Sequence, residues 1–336
     1  MEPLKFITDI IRWQIDGSYG TQATLEDFFL MSKGSGRRPM QISQEELDKR
    51  WEAVFNGKPA EDMFDHLMID KILTKEVEKL VPDDEVAVLL SGGVDSISVA
   101  FAAERLGKKI TAYSFRLDNH ECYDYNKAKD IAQMRDWKFM GITINTNQLV
   151  NDFHALVELG CRKKTQFECT YPFLHIYPEI KEQYVLSGWA ADGYYGLSKK
   201  AMIHYKGDNF NEFRDDYFKK ENRAGYICHK KVADLYNKSL VTPYLSESVK
   251  QFFYRYNHEE LNKPFQKHHI RNGFYEFNEI EKVENHLNLQ IESGIIKLFG
   301  KLLNNKQINF KNRTRMLEVY SDWHELNNTS TLEEFL

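Results

Sequence analysis

Six consecutive residues carry the clearest chemical content: Ser91-Gly92-Gly93-Val94-Asp95-Ser96. Two adjacent glycines let a backbone approach a ligand closely and present N–H groups, and a helix N-terminus beyond them adds the positive end of its dipole. Ser91 and Ser96 supply hydroxyl donors. That set suits a phosphate group. Asp95 would repel bare phosphate, so its presence asks for a divalent cation between the two. No GxxxxGK[ST] occurs anywhere, and the loop is not GxGxxG. The alternative, a glycine turn with a Ser or Asp helix cap, explains the glycines but not an acidic residue at a strand's carboxyl end.

The flanking segments say how such a loop is positioned. Val86–Leu90 is a continuous apolar run, the pattern of a strand buried on both faces. Ser96–Leu106 favours helix, with Gly107 placed to end it. Strand composition returns at Lys109–Phe115, Lys138–Asn145 and Tyr184–Ser187. Helical composition falls at Asp124–Arg135 and at Gln148–Leu159, closed by Gly160. Alternating strands and helices of this length predict βαβ units in a parallel α/β sheet, with ligands at the strands' carboxyl ends. The expected organisation is a helical N-terminal segment over 1–80, an α/β core over 81–200 and a helical region over 201–336 that completes the site. Within 1–80, Phe6, Ile7, Ile10, Ile11 and Trp13, then Phe64, Leu67, Met68, Ile72 and Leu73, lie close to helical spacing, and Ser32–Pro39 reads as a basic connector.

The 336 residues carry 45 Lys+Arg against 50 Asp+Glu, a formal charge of −5, which argues against a protein built mainly to hold nucleic acid by its phosphates. Four cysteines with no CxxC pair make neither a disulfide framework nor a zinc site, so Cys122, Cys161, Cys169 and Cys228 read as reduced, inert thiols. No signal peptide or membrane-length apolar run is visible, and the expectation is a soluble, cytoplasmic chain.

Leu89-Leu90-Ser91-Gly92-Gly93-Val94-Asp95-Ser96 resembles the pyrophosphate-binding loop of the N-type ATP pyrophosphatases, the PP-loop superfamily. Tyr184-Val185-Leu186-Ser187-Gly188-Trp189-Ala190-Ala191-Asp192-Gly193-Tyr194-Tyr195-Gly196 resembles the SGEGADE element of its asparagine synthetase branch. Val241–Ser246 is similar to the branch's P-F-L-D element, with Ser246 in place of Asp. Lys267–Phe274 is similar to its K-x-x-L-R-x-x-F helix, and Leu289–Gly294 faintly to its Q-x-G-S/T-G stretch. The resemblance implies ATP and Mg²⁺ as cofactors. ATP would lie on Ser91, Gly92, Gly93, Asp95 and Ser96, bordered by Ser187 and Gly188, with Leu89 and Phe115 near the base. Asp95 and Asp192 would hold the metal, and Lys267 would stabilise charge during amide formation. The implied activity is an ATP-dependent carbon–nitrogen ligase that adenylates a carboxylate, releases pyrophosphate and transfers ammonia or an amine.

Two departures bear on that expectation. Glu2 follows the initiator Met and about eighty residues precede the loop, so the implied protein is a synthetase without a glutaminase domain. Its nitrogen would come from ammonia, a substrate amine or a separate glutaminase. Inside the second motif, Trp189 and Gly193 replace two glutamates, which makes aspartate a less secure substrate. Two other functions stay open: adenylation of a nucleobase or nucleoside carbonyl, with Arg162-Lys163-Lys164 and Lys199-Lys200 as slight support, and a catalytically retired nucleotide-binding regulator. A nucleotide or nucleic-acid substrate is not excluded, no membrane partner is expected, and a homodimer is left open.

Overall fold

In the computed structural model, residues 69–161, 164–197, 209–219, 224–263, 266–280 and 289–305 are described. The helical spacing read between Phe6 and Met68, the Ser32–Pro39 connector, the basic residues Arg162, Lys163, Lys199 and Lys200, and the tail from Asn327 lie outside them.

Five strands form one sheet, all parallel, in the order β3-β2-β1-β4-β5. They are β1 (Glu85–Leu89), β2 (Lys109–Leu117), β3 (Lys138–Ile144), β4 (Tyr184–Leu186) and β5 (Ser239–Val241). The chain steps outward from β1 to β3, then returns to β1's other side for β4 and β5. The direction of winding therefore reverses between β1 and β4, which opens a crevice at their carboxyl ends. Centrality explains the apolar run: Val86, Ala87 and Val88 are each 0% exposed, so neither face of β1 has a place for a polar residue.

Helices cover both faces. Val86, Val88, Ile110, Ala112 and Leu186 pack under α1 (Ile69–Leu80), α2 (Val94–Arg105) and α3 (Tyr123–Met134). The alternate residues Ala87, Tyr113, Phe115, Leu117 and Val185 pack on the opposite side with α4 (Leu149–Glu158), α5 (Lys164–Thr170), α6 (Phe173–Ile176), α9 (Ala224–Leu235) and α14 (Ile295–Asn305). Between them lie α7 (Ala191–Tyr195) and α8 (Phe210–Tyr217); α10 (Glu247–Phe253), α11 (His258–Asn262), α12 (His268–Gly273) and α13 (Leu289–Glu292) follow β5. The turns after α2 and α4 close on Gly107 and Gly160, both at positive φ. No helix among the described residues is long and apolar enough to cross a membrane.

One element departs from the sequence reading. Ser239-Leu240-Val241 lies in the region expected to be helical, yet pairs with Tyr184-Val185-Leu186 and completes the sheet. Three residues are too few to show a period of two. Pairing, not pattern, specifies this strand.

An ion cluster ties the first two helices to the chain after α12. The Arg105 guanidinium donates from Nη1 to Asp70 Oδ2 (2.7 Å) and from Nε and Nη2 to Glu276 (2.7 and 2.9 Å). Both carboxylate side chains are only 2% exposed. Burial raises the Asp70 carboxyl against the opposing pull of Arg105. Breaking a buried charge set from one side leaves its partners uncompensated. Arg105→Met is therefore expected to lower unfolding free energy by about 3 kcal/mol or more, read as a shift of the urea midpoint at unchanged slope.

Candidate active site

The loop after β1 is built by its own glycines and serines. Gly92 sits at φ +71°, and a Cβ there would meet the Lys127 side chain at 3.1 Å. Gly93 caps α2 in an extended conformation, and no side chain caps this helix. Asp95 and Ser96 thus fall within the first helical turn, and the Ser/Asp-cap alternative does not hold. The Ser91 N–H donates to Ser96 Oγ (3.2 Å), whose hydroxyl donates to the Gly93 carbonyl (3.0 Å). Ser91 Oγ lies 3.1 Å from Ser96 Oγ. A helix N-terminus without a side-chain cap, opening on a cavity, is an anion-binding feature.

The end of β4 presses against this loop. A Cβ on Gly188 would lie 2.5 Å from the Asp95 carbonyl carbon and 2.7 Å from the Ser96 nitrogen, so only glycine permits the contact. Two residues on, Ala190 adopts φ +82°, a left-handed conformation, at the place where SGEGADE has its second glycine. That turn starts α7 and brings Asp192 toward α2.

Lys267 joins the two. Its Nζ lies 2.5 Å from Asp95 Oδ2 and 2.6 Å from Asp192 Oδ1, and its side chain is 4% exposed. Lys267 itself is left-handed, at φ 59°, capping α12. The two carboxylates hold the ammonium firmly charged, outweighing its burial. Burial pushes the Asp95 carboxyl up to about 7, opposed by Lys267 and reinforced by Asp192. Asp95 Oδ1 is buried with no hydrogen-bond partner among the described residues. The donor set fits a hard divalent cation: two carboxylates that already share one positive charge, an orphaned carboxylate oxygen, and a phosphate-shaped loop beside them. Among the described residues, no group of three or more His, Cys, Asp or Glu could hold a metal by itself.

One cavity of about 260 Å³ is lined by Leu89, Ser91, Gly92, Gly93, Asp95, Ser96, Phe115, Ser187, Gly188, Asp192 and Lys267, every residue the sequence nominated. It is also lined by residues to which sequence reasoning gave no role, among them Lys127, Phe173, His229, Gln266 and Arg271. Arg271 carried a signal, standing one helical turn beyond Lys267. His229 carried none, because only the folding of α9 onto α6 brings it here. Cys122 lines the cavity too, but burial raises its thiol, which keeps it protonated. Ser246, the departure from the P-F-L-D element, is not among the lining residues. Its neighbour Tyr244 instead fixes α2 through a 2.7 Å hydroxyl contact with Ser98.

The two positions that lost glutamate are explained by neighbouring rings. Trp189 stacks on Tyr226 with centroids 4.8 Å apart. Gly193 faces the Tyr217 ring, whose Cε1 would stand 2.2 Å from a Cβ. Where carboxylates would stand in SGEGADE, aromatic surface stands here.

The sequence model of the asparagine synthase family matches residues 68–293. No curated protein matches the chain at a significant level. Among solved structures, NMN synthetase from Francisella tularensis is 15% identical, with 65% of this chain and 98% of that one covered and a TM-score of 0.30. A structure described as a predicted subunit of tRNA methyltransferase from Methanocaldococcus jannaschii is 14% identical, with 51% of this chain and 73% of that one covered and a TM-score of 0.30.

The two glycine contacts differ in what opposes them. Gly188→Ala drives a methyl into backbone, which cannot turn aside, and should cost about 2 kcal/mol together with nucleotide binding. Gly193→Ala meets a side chain, so in a Tyr217→Ala background it should cost nothing further. Thermal melts of G188A, G193A, Y217A and G193A/Y217A, with and without ATP, check both.

Proposed function

The chain belongs to the asparagine synthase family, whose members are ATP-utilising PP-loop enzymes, and on that premise we propose that it is an AMP-forming carbon–nitrogen ligase. The observation that carries this reading is Lys267 bridging Asp95 and Asp192 beside the open loop. In the reaction we propose, an oxygen of a small-molecule carboxylate attacks the α-phosphorus of ATP. The bond from that phosphorus to the bridging oxygen breaks, and pyrophosphate leaves. Ammonia or an amine then attacks the acyl carbon of the adenylate; the C–N bond forms, the C–O bond to AMP breaks, and the nitrogen's proton goes to solvent.

Within that scheme, Ser91, Gly92, Gly93 and Ser96 bind the pyrophosphate end of the nucleotide, and Ser187 and Gly188 border it. Asp95 and Asp192 hold Mg²⁺, which when bound neutralises phosphate charge. Lys267 carries its positive charge to the oxygen that becomes negative as the nitrogen adds. No protein nucleophile is required, because positioning and charge neutralisation supply the rate. The nitrogen is ammonia, a substrate amine or the product of a separate glutaminase.

A second reading shares the adenylation step but takes a nucleobase or nucleoside carbonyl as acceptor. Trp189 on the cavity wall favours it, since a ring surface suits a planar acceptor better than an aliphatic amino acid.

Phosphorus NMR of ATP turnover with Mg²⁺, ammonium and a panel of amino acids, other carboxylates and nucleosides separates these readings. AMP plus pyrophosphate, dependent on one panel member, is expected; ADP plus phosphate overturns the proposal. Tight ATP binding without turnover points to a regulator. Lys267→Met is expected to lower kcat by about a hundredfold or more while ATP still binds. Asp95 also sets a pH dependence. A cation binds only the ionised carboxylate, so Mg²⁺–ATP affinity should be full above about pH 8 and fall toward tenfold per unit below about pH 7. Calorimetric titration across that range tests it, and Asp95→Asn should lose both the affinity and the slope.

A further inference from the structure

The cavity has two halves of different chemistry. One holds the loop, Asp95, Asp192, Lys267 and Arg271; the other is walled by Leu89, Phe115, Phe173, Ile176 and His229. A nucleotide whose phosphates lie in the first half must seat its base in the second. Leu89, Phe115, Phe173 and Ile176 belong to one packed cluster, so that half is a single apolar wall rather than scattered patches.

His229 joins this wall as a polar side chain. The residue is 3% exposed, and its ring stacks on Phe173 with centroids 3.7 Å apart and planes 7° apart. Its Nε2 lies 2.8 Å from the Tyr177 hydroxyl. Tyr177 is 0% exposed, and among the described residues His229 is the only partner of that hydroxyl. A buried hydroxyl hydrogen needs an acceptor, and Nε2 is the one within reach. Tyr177 therefore donates to Nε2. Burial pushes the imidazole down to about 3, so the ring is neutral and its single proton must sit on Nδ1. That contact at Nε2 is the ring's one hydrogen bond among the described residues, which leaves Nδ1 free of one. His229 lines the cavity, so an N–H fixed in direction by a stacked ring and a buried hydroxyl is left for a ligand there.

We infer that His229 reads the nucleotide base, its Nδ1–H donating to an acceptor atom on the edge of a heterocycle seated against Phe173 and His229. This rests on the proposal that the cavity takes ATP. The tautomer decides what is read. An exocyclic amine offers no acceptor to an N–H, whereas a ring nitrogen does, so N1, N3 or N7 of the purine is the partner. Tyr177 is a positioning residue: it touches no ligand but holds the proton on Nδ1.

Calorimetric binding of ATP and of its 1-deaza, 3-deaza and 7-deaza analogues to the full chain tests the inference. His229→Phe keeps the stacking and removes the donor, and should weaken ATP about tenfold. Only one deaza analogue should bind the unaltered protein about tenfold more weakly, and that analogue should lose nothing further on H229F. His229→Asn, whose amide can place a donor near Nδ1, should recover part of the loss. Tyr177→Phe should weaken ATP severalfold and leave the same analogue unaffected, which supplies the test if H229F does not fold. Equal losses for ATP and all three analogues, or a folded H229F that binds ATP like the unaltered protein, overturns the inference. If the unaltered protein binds no ATP at all, the proposed function fails and takes this inference with it, a result visible before any variant is made.

Discussion

A buried lysine ammonium is held between two carboxylates, one mostly buried and one facing the open cavity, and much of the site's geometry follows from what that demands. Lys267 caps α12, and Asp95 and Asp192 lie in α2 and α7, three elements distant in sequence. Withdrawing Lys267 and Asp95 from water carries a desolvation penalty, so the cluster persists only if the attraction is close and well directed. Both contacts lie within 2.6 Å. With both carboxylates ionised the set carries one surplus negative charge in a poorly solvated place. Either a proton or a second cation answers it. The carboxyl of Asp95, pushed up toward neutrality, is the first answer; a divalent ion bound with nucleotide would be the second.

The fold makes this meeting affordable by fixing the approach of its parts. Reversal of strand order between β1 and β4 places the loop and the Ser187–Gly188 turn side by side. Gly188 then allows backbone to lie directly on backbone, which sets the height of α7 relative to α2. Left-handed Ala190 and Lys267 are local strain of about 1 kcal/mol or more each, retained where the surrounding packing determines the backbone. Tyr244 and the Arg105 cluster hold α2 from its other sides, so the helix that carries Asp95 has little freedom to retreat.

What the sequence made legible were constraints that act between near neighbours. Gly92 and Gly93 with Asp95, or Gly188 with Asp192, are patterns in which backbone conformation, phosphate approach and charge all fall within a few residues. Strands β1 to β3 announced themselves for the same reason: an apolar run, a turn and a helix lie adjacent. The strand β5 was illegible, being three residues specified by pairing with β4. His229 and Tyr217 were illegible because their significance is a contact with a residue far away in the chain. Trp189 and Gly193 showed that something had changed, but not why. The rings of Tyr226 and Tyr217 supply the reason, and neither can be paired with its partner by spacing.

The charged half of the cavity and the ring-lined surface at Trp189 and Gly193 are under different pressures, and that difference bears on how far the family's chemistry carries over. In the charged half each group depends on the others: remove Lys267 and two carboxylates repel, remove either carboxylate and a buried ammonium loses a partner. Single changes there are costly, so a charge set of this kind changes as a unit or not at all. Around Trp189 the neighbours meet through ring faces and van der Waals contact, where coordinated exchanges of volume are tolerated. Replacing a carboxylate by Trp189 with Tyr226 behind it, or opening Gly193 to admit Tyr217, exchanges charge for surface without disturbing the Asp–Lys–Asp set. On the proposed function, a new acceptor would enter beside Trp189, where the wall packs by shape, while ATP would be activated on the side held by charge.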